Sequence, residues 1–166
     1  GTNVSNLVTD AGVVGTDVTG VGTSRSASAA ANYGGDKGIF AYGDNSGVIS
    51  VSNLVSNVGV VSSDVTGVGT ARKELASLEY GVGKAIFAYG KTSSEVSMSG
   101  VVANDVTGVG TARRGAGAAG YGGDKAIFAY GDTNHINLVN NSGVVATDVT
   151  GVGTSREVFS ATEYGF

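Results

Sequence analysis

One 27-residue block, written three times and begun a fourth, sets the terms for any fold of this chain. The copies run over residues 17–43, 64–90 and 105–131, and a fourth starts at Asp148. Each reads Asp-Val-Thr-Gly-Val-Gly-Thr-x-Arg, then small residues, a Tyr-Gly pair and Lys-x-Ile-Phe-Ala-Tyr-Gly, with modest drift. A recurrence every 41 to 47 residues predicts a repeat architecture, in which one supersecondary unit is stacked on its neighbours. Inside the block the spacing is fixed. Arg follows Asp by eight residues in all four copies, and Lys follows Arg by twelve in the three complete ones. Between blocks the length varies, from 14 to 20 residues, so that one edge of each unit should carry the loops.

The local patterns predict strands. Ile39-Phe40-Ala41-Tyr42 and its copies at 86–89 and 127–130 combine β-branched and aromatic residues, which fit a pleated, buried surface. The Ala between Phe and Tyr leaves room for a neighbouring sheet. Residues 26–33 and their copies are Ala-rich, but Gly115, Gly117 and Gly120 in the third copy argue for strand over helix. Gly34-Gly35-Asp36 and Gly122-Gly123-Asp124 then form the hairpin turn. Third and fourth strands are expected at 51–55 and 59–61, with counterparts at 136–139 and 143–145. The intervening copy lacks the Asn-Leu-Val stretch, so one strand should be short there. Asp-Val-Thr-Gly-Val-Gly-Thr reads as an extended linker returning the chain to the next unit.

Four short strands per unit of about 45 residues match a β-propeller blade. The order Arg25, Ala-rich strand, turn, Lys-x-Ile-Phe-Ala-Tyr-Gly, loop, Asn-Leu-Val resembles a kelch-type blade. Tyr42-Gly43, Tyr89-Gly90 and Tyr130-Gly131 stand where the kelch Gly pair falls, and the kelch Trp is missing. The resemblance implies one all-β domain over 1–166, a propeller of about four four-stranded blades. The same repeats are similar in wording to Gly/Val/Thr/Tyr-rich repeats of virion-associated proteins of tailed phages. That likeness implies an extracellular or virion-surface location. A β-solenoid is the alternative fold; it predicts equal rungs, whereas these connections differ by up to six residues.

Composition excludes several functions. The net charge is −4 with no basic stripe, which argues against nucleic acid as a partner. The chain has no Cys, so thiolate metal sites and cysteine nucleophiles are out. No apolar run reaches the length of a membrane span. Gly81-Val82-Gly83-Lys84-Ala85 lacks the earlier Gly and the Ser/Thr of a phosphate loop. The Gly-x-Gly at 67–69 recurs in every copy and reads as a turn. No calcium loop and no cofactor pattern is seen. His135, the single His, reads as a solvated loop residue, because it has no orienting partner in the pattern.

Two sets of repeated residues are the candidate ligand-binding groups. Arg25, Arg72, Arg113 and Arg156 would form a ring under the repeat symmetry, with Asp17, Asp64, Asp105 and Asp148 as a companion ring. The plain reading is one structural pair per blade; the sharper one is an anion or acidic-sugar site per blade. Tyr33, Tyr80, Tyr121 and Tyr164 recur likewise, as inter-blade packing or as sugar-stacking platforms. Unrepeated loops at 44–50, 91–97 and 132–137 are the other place for function.

The expected function is non-catalytic: a structural or adhesive module whose partners are other structural subunits or cell-surface glycans. A lectin with one site per blade is the alternative, and a hydrolase on a propeller is the third class. Residues 1–8 align with the segment after an Ile-Phe strand, and 164–166 with the segment before one. The chain thus holds four copies of most strands but three of the Ile-Phe strand. A larger propeller, a partner subunit or a three-stranded joining blade would each account for this. The chain does not begin with Met, which fits a processed product or a piece of a longer chain.

Overall fold

The computed structural model describes residues 2–89, 92–157 and 161–163. Among these there is no helix; the fold is all-β. The first sheet contains β1 (Ala29–Tyr33), β2 (Lys37–Asp44) and β3 (Val48–Val55). The second contains β4 (Ala76–Tyr80), β5 (Lys84–Tyr89), β6 (Thr92–Val96) and β7 (Val106–Thr107). The third contains β8 (Gly117–Tyr121), β9 (Lys125–Ala129), β10 (His135–Val139) and β11 (Val149–Thr150). All pairings are antiparallel between neighbours in sequence.

The Ile-Phe strand lies inside every sheet, paired with the Ala-rich strand on one edge and with the third strand on the other. In β2, Ile39 and Ala41 are buried and point at the second sheet, where they pack with Ala85 and Phe87. The opposite face of β5 turns Ile86 onto Ala126 and Phe128 of the third sheet. Ala85, Ile86 and Phe87 are therefore all fully buried, as expected of a strand covered on both sides. The first strands β1, β4 and β8 lie side by side, and Ser77 Oγ donates to the Ala30 carbonyl at 2.7 Å. The hairpin turns also join sheet to sheet: Gly34 N–H donates to the Gly83 carbonyl, and Gly81 N–H to the Asp124 carbonyl.

Three features depart from the sequence expectation. The fourth strand is not at 59–61 or 143–145. Those segments make only single bridges, Val55 with Val61 and Val139 with Val145. It is the Asp-Val-Thr segment, expected to be a linker, that supplies β7 and β11. In the first sheet the same position is a single bridge, Ser52 with Val65. The 91–104 connection is not specially short of strand either, since β6 and β10 have five residues each. Ser94-Glu95-Val96 takes the place of Asn-Leu-Val without breaking the pairing.

The Ala-rich strand begins three residues later than residue 26. Two residues past Arg25, Arg72 and Arg113 the backbone turns left-handed: Ala27 has φ 50°, Glu74 φ 58° and Gly115 φ 59°. Only the third copy uses the residue suited to that conformation. Glu74→Gly, at an exposed position, is expected to raise stability by about 1 kcal/mol, the left-handed penalty less the entropy cost of Gly. A urea titration showing a loss instead would mean that the Glu74 side chain contributes more than its backbone costs.

Candidate functional site

The repeated Arg and Asp meet across the blocks, not within them. Arg25 pairs with Asp64, Arg72 with Asp105 and Arg113 with Asp148. Arg lies before the first strand of a sheet and Asp after its third, so each pair staples one sheet from end to end. The three Arg side chains are only 7%, 6% and 4% exposed.

The rest of the motif encloses the carboxylate. The backbone N–H and hydroxyl of Thr23 both donate to Asp64, and Thr111 does the same for Asp148. Thr70 N–H donates to Asp105 at 2.7 Å. A Cβ on Gly22, Gly69 or Gly110 would run into the carboxylate of Asp64, Asp105 or Asp148, and all three glycines have positive φ. Gly-x-Gly-Thr-x-Arg is thus one carboxylate-receiving loop, and the Asp eight residues before each Arg serves the preceding sheet.

A further ligand completes each site, and sequence reasoning passed over it. Asn53 donates to Asp64 at 2.9 Å and accepts from Arg25 Nη2 at 2.6 Å, so that it sits between the two charges. The Arg25–Asp64 separation is accordingly 3.9 Å. Asn137 donates to Asp148 in the same way, and Arg113–Asp148 is also 3.9 Å. Where the second sheet places Ser94, the shorter side chain lets Arg72 reach Asp105 directly at 2.7 Å. Ser94 Oγ still bridges them, accepting from Arg72 and donating to Asp105. The signal was present: this Asn or Ser precedes its Asp by eleven residues in every copy, Asn6 and Asp17 included.

Burial alone would raise the carboxyl pKa of Asp64, Asp105 and Asp148. The donated hydrogen bonds outweigh it, with Arg25 helping at Asp64 and Arg72 at Asp105, and all three are held below the ordinary carboxylate range, Asp105 most strongly. Burial in turn lowers Arg25 and Arg113, against the pull of their Asp partners. The sign for stability follows. Carboxyls depressed by folding stabilise the protein above the unfolded value of about 3.9 and lose that contribution as pH falls below it. The thermal midpoint is therefore expected to hold from neutrality to about pH 5 and to drop steeply below about pH 4. Scanning calorimetry across that range checks it; a flat profile down to pH 2.5 would contradict the role given to these carboxylates.

The other sequence candidates are placed as follows. Arg156 stacks on the Tyr130 ring with its guanidinium 4.5 Å from the centroid, as Arg72 does on Tyr42 at 4.4 Å. It has no ion pair among the described residues. Tyr33 is buried against Gly100 of the next sheet. Tyr80 is buried, and its hydroxyl donates to Glu95 at 3.0 Å. Burial, then the Glu95 carboxylate, pushes its pKa up. Tyr121 is 36% exposed, and Tyr164 lies outside the described residues. His135 is not a solvated loop residue: it opens β10, is half-buried, and its carbonyl accepts from Tyr130 N–H at 2.9 Å. Within the unrepeated loops, Ser94 and Asn137 are already committed to the staples, whereas Asn45, Ser46, Gly47 and Asp132 are exposed.

An opening of about 590 Å³ lies beside β1, β4 and β8 and reaches residues 161–163. Methyl groups and backbone dominate its wall, with Glu79 and Glu163 the only acidic groups among the described residues. No set of three His, Cys, Asp or Glu among the described residues is placed to hold a metal ion.

No family model and no curated protein matches the chain. Among solved structures, it is similar to the crystal structure of a protein of unknown function from Bacteroides caccae, with a TM-score of 0.52 and 14% identity. The match covers 93% of this chain and 56% of the other, so this chain spans little more than half of that protein's length; the likeness is one of fold.

Proposed function

We propose that the chain is a non-catalytic structural and adhesive module, built from kelch-like blades of a β-propeller. The observation that carries this reading is the internal use of the repeated polar groups. The Arg of one block and the Asp of the next satisfy one another inside the fold at three sites, helped by Thr and by Asn or Ser, so the repeat specifies a scaffold. Three sheets stacked face to face, with their first strands side by side, support the propeller geometry. A tailed-phage particle surface is the setting that the wording of the repeats suggests.

Ligand contact then belongs to the exposed, unrepeated loops around Asn45–Gly47 and Asp132. The test is binding of the purified chain to an array of glycans and to immobilised cell-envelope preparations. Binding should be reduced by Asn45→Ala with Asp132→Asn, which keeps the oxygen that accepts from Arg114 N–H, while the melting temperature changes little. Saturable glycan binding with one equivalent per blade, indifferent to those loop changes, would establish the lectin alternative. Turnover of a glycan would overturn the non-catalytic reading.

A further inference from the structure

Residues 2–18 repeat the outer part of a sheet without its centre. Ser5 bridges Val18 and Val8 bridges Val14, matching Ser52 with Val65 and Val55 with Val61. Gly15 N–H donates to the Leu7 carbonyl as Ser62 N–H does to that of Leu54. The hairpin also sits on the first sheet as β3 sits on the second. A Cβ on Gly59 would strike Leu7, just as one on Gly100 would meet Leu54. Asn6 donates to Asp17 at 2.8 Å, as Asn53 does to Asp64.

What is missing is the strand that elsewhere lies between. Asn53 pairs with Phe40 and Val55 with Gly38; Asn137 pairs with Phe128 and Val139 with Ala126. The backbone amides and carbonyls of Asn6 and Val8 pair with nothing among the described residues. Asp17 accepts only from Asn6 there and has no ion pair. Apolar surface is open beside this edge: Val8 is 62% exposed, and Phe40 is 41% exposed where Phe87 and Phe128 are buried.

We propose that the edge formed by Asn6 and Val8 is an acceptor site for one antiparallel strand of the Lys-x-Ile-Phe-Ala-Tyr class. The occupant is fixed by the three complete copies. Its Phe falls opposite Asn6, and its Ile packs on Phe40. An Arg twelve residues before its Lys reaches Asp17, which supplies the complementary charge. The existing copies cannot serve, because β2, β5 and β9 are each already paired on both edges. The donor is therefore a further copy of the repeat, added by strand augmentation. This inference rests on the sheet geometry and is independent of the binding role proposed above.

The probe is a synthetic peptide with the sequence of residues 122–131, with a scrambled peptide as control. The full chain should bind the first at one equivalent and ignore the second, and hydrogen exchange should slow at the amides of Asn6 and Val8. Val8→Pro removes a donor that the folded chain leaves unpaired, so the melting temperature should hold while affinity falls at least about tenfold, the value of one ladder hydrogen bond. Absence of saturable binding, or binding untouched by Val8→Pro, would overturn the proposal. So would amides at Asn6 and Val8 that are protected before any peptide is added, since the edge would then be closed already.

Discussion

Arg72→Met is expected to lower the stability of the chain by about 3–5 kcal/mol, the usual cost of removing one member of a buried ion pair. The guanidinium reaches Asp105 at 2.7 Å and Ser94 at 2.6 Å, and its face lies 4.4 Å from the Tyr42 centroid. Met replaces the packing against the ring but leaves the Asp105 carboxylate, 18% exposed, with only Thr70 and Ser94 as donors among the described residues. The double variant Arg72→Met with Asp105→Leu should recover much of the loss, because no charge is then left buried. Lys73→Ala is the contrast. Lys73 reaches Asp44 at 2.8 Å, but its side chain is 43% exposed, so solvent screens the pair and its loss should barely move the midpoint. Urea midpoints of the four proteins measure the difference. A loss below about 1 kcal/mol for Arg72→Met would mean that water takes the place of the guanidinium.

The strand content was legible because it depends on local chemistry. Aromatic and β-branched residues around Ile39, Ile86 and Ile127, bounded by Gly turns, gave the centre of each sheet. The pairing of Arg with Asp across blocks was not legible, because a repeat has no natural starting point. The eight-residue interval between Asp17 and Arg25 ties together two groups that serve different sheets, and only the path of the chain reveals this. The Thr and Asn ligands were hidden for a related reason. Thr23 and Asn53 look like ordinary strand and turn residues until the carboxylate between them is placed. The fourth strand was misplaced because Gly59-Val60-Val61 has the better strand composition. Val106-Thr107 instead becomes a strand because Ser93 and Thr92 offer it a free edge.

Residues that are equal in the repeat are not equal in the fold, and the three phenylalanines measure this directly. Phe87 is completely buried between the first and second sheets, edge-on to Tyr42 with ring centroids 5.7 Å apart. Its truncation to Ala should cost about 3–5 kcal/mol, since the rigid sheets on either side cannot close the cavity. Phe40 holds the same place in the sequence, but its ring looks away from the second sheet and is 41% exposed. Phe40→Ala should cost about 1 kcal/mol, in proportion to the smaller area it removes from water. Denaturant unfolding of the two variants, with Phe128→Ala as a second buried reference, gives the comparison. A Phe40→Ala cost as large as that of Phe87→Ala would show that the outer face of the first sheet is covered in solution, and would identify Phe40 as part of that contact. A cost near the smaller value would show the face open, and the strand peptide should then stabilise the unmodified chain more than Phe40→Ala, because only the former has a ring for it to bury.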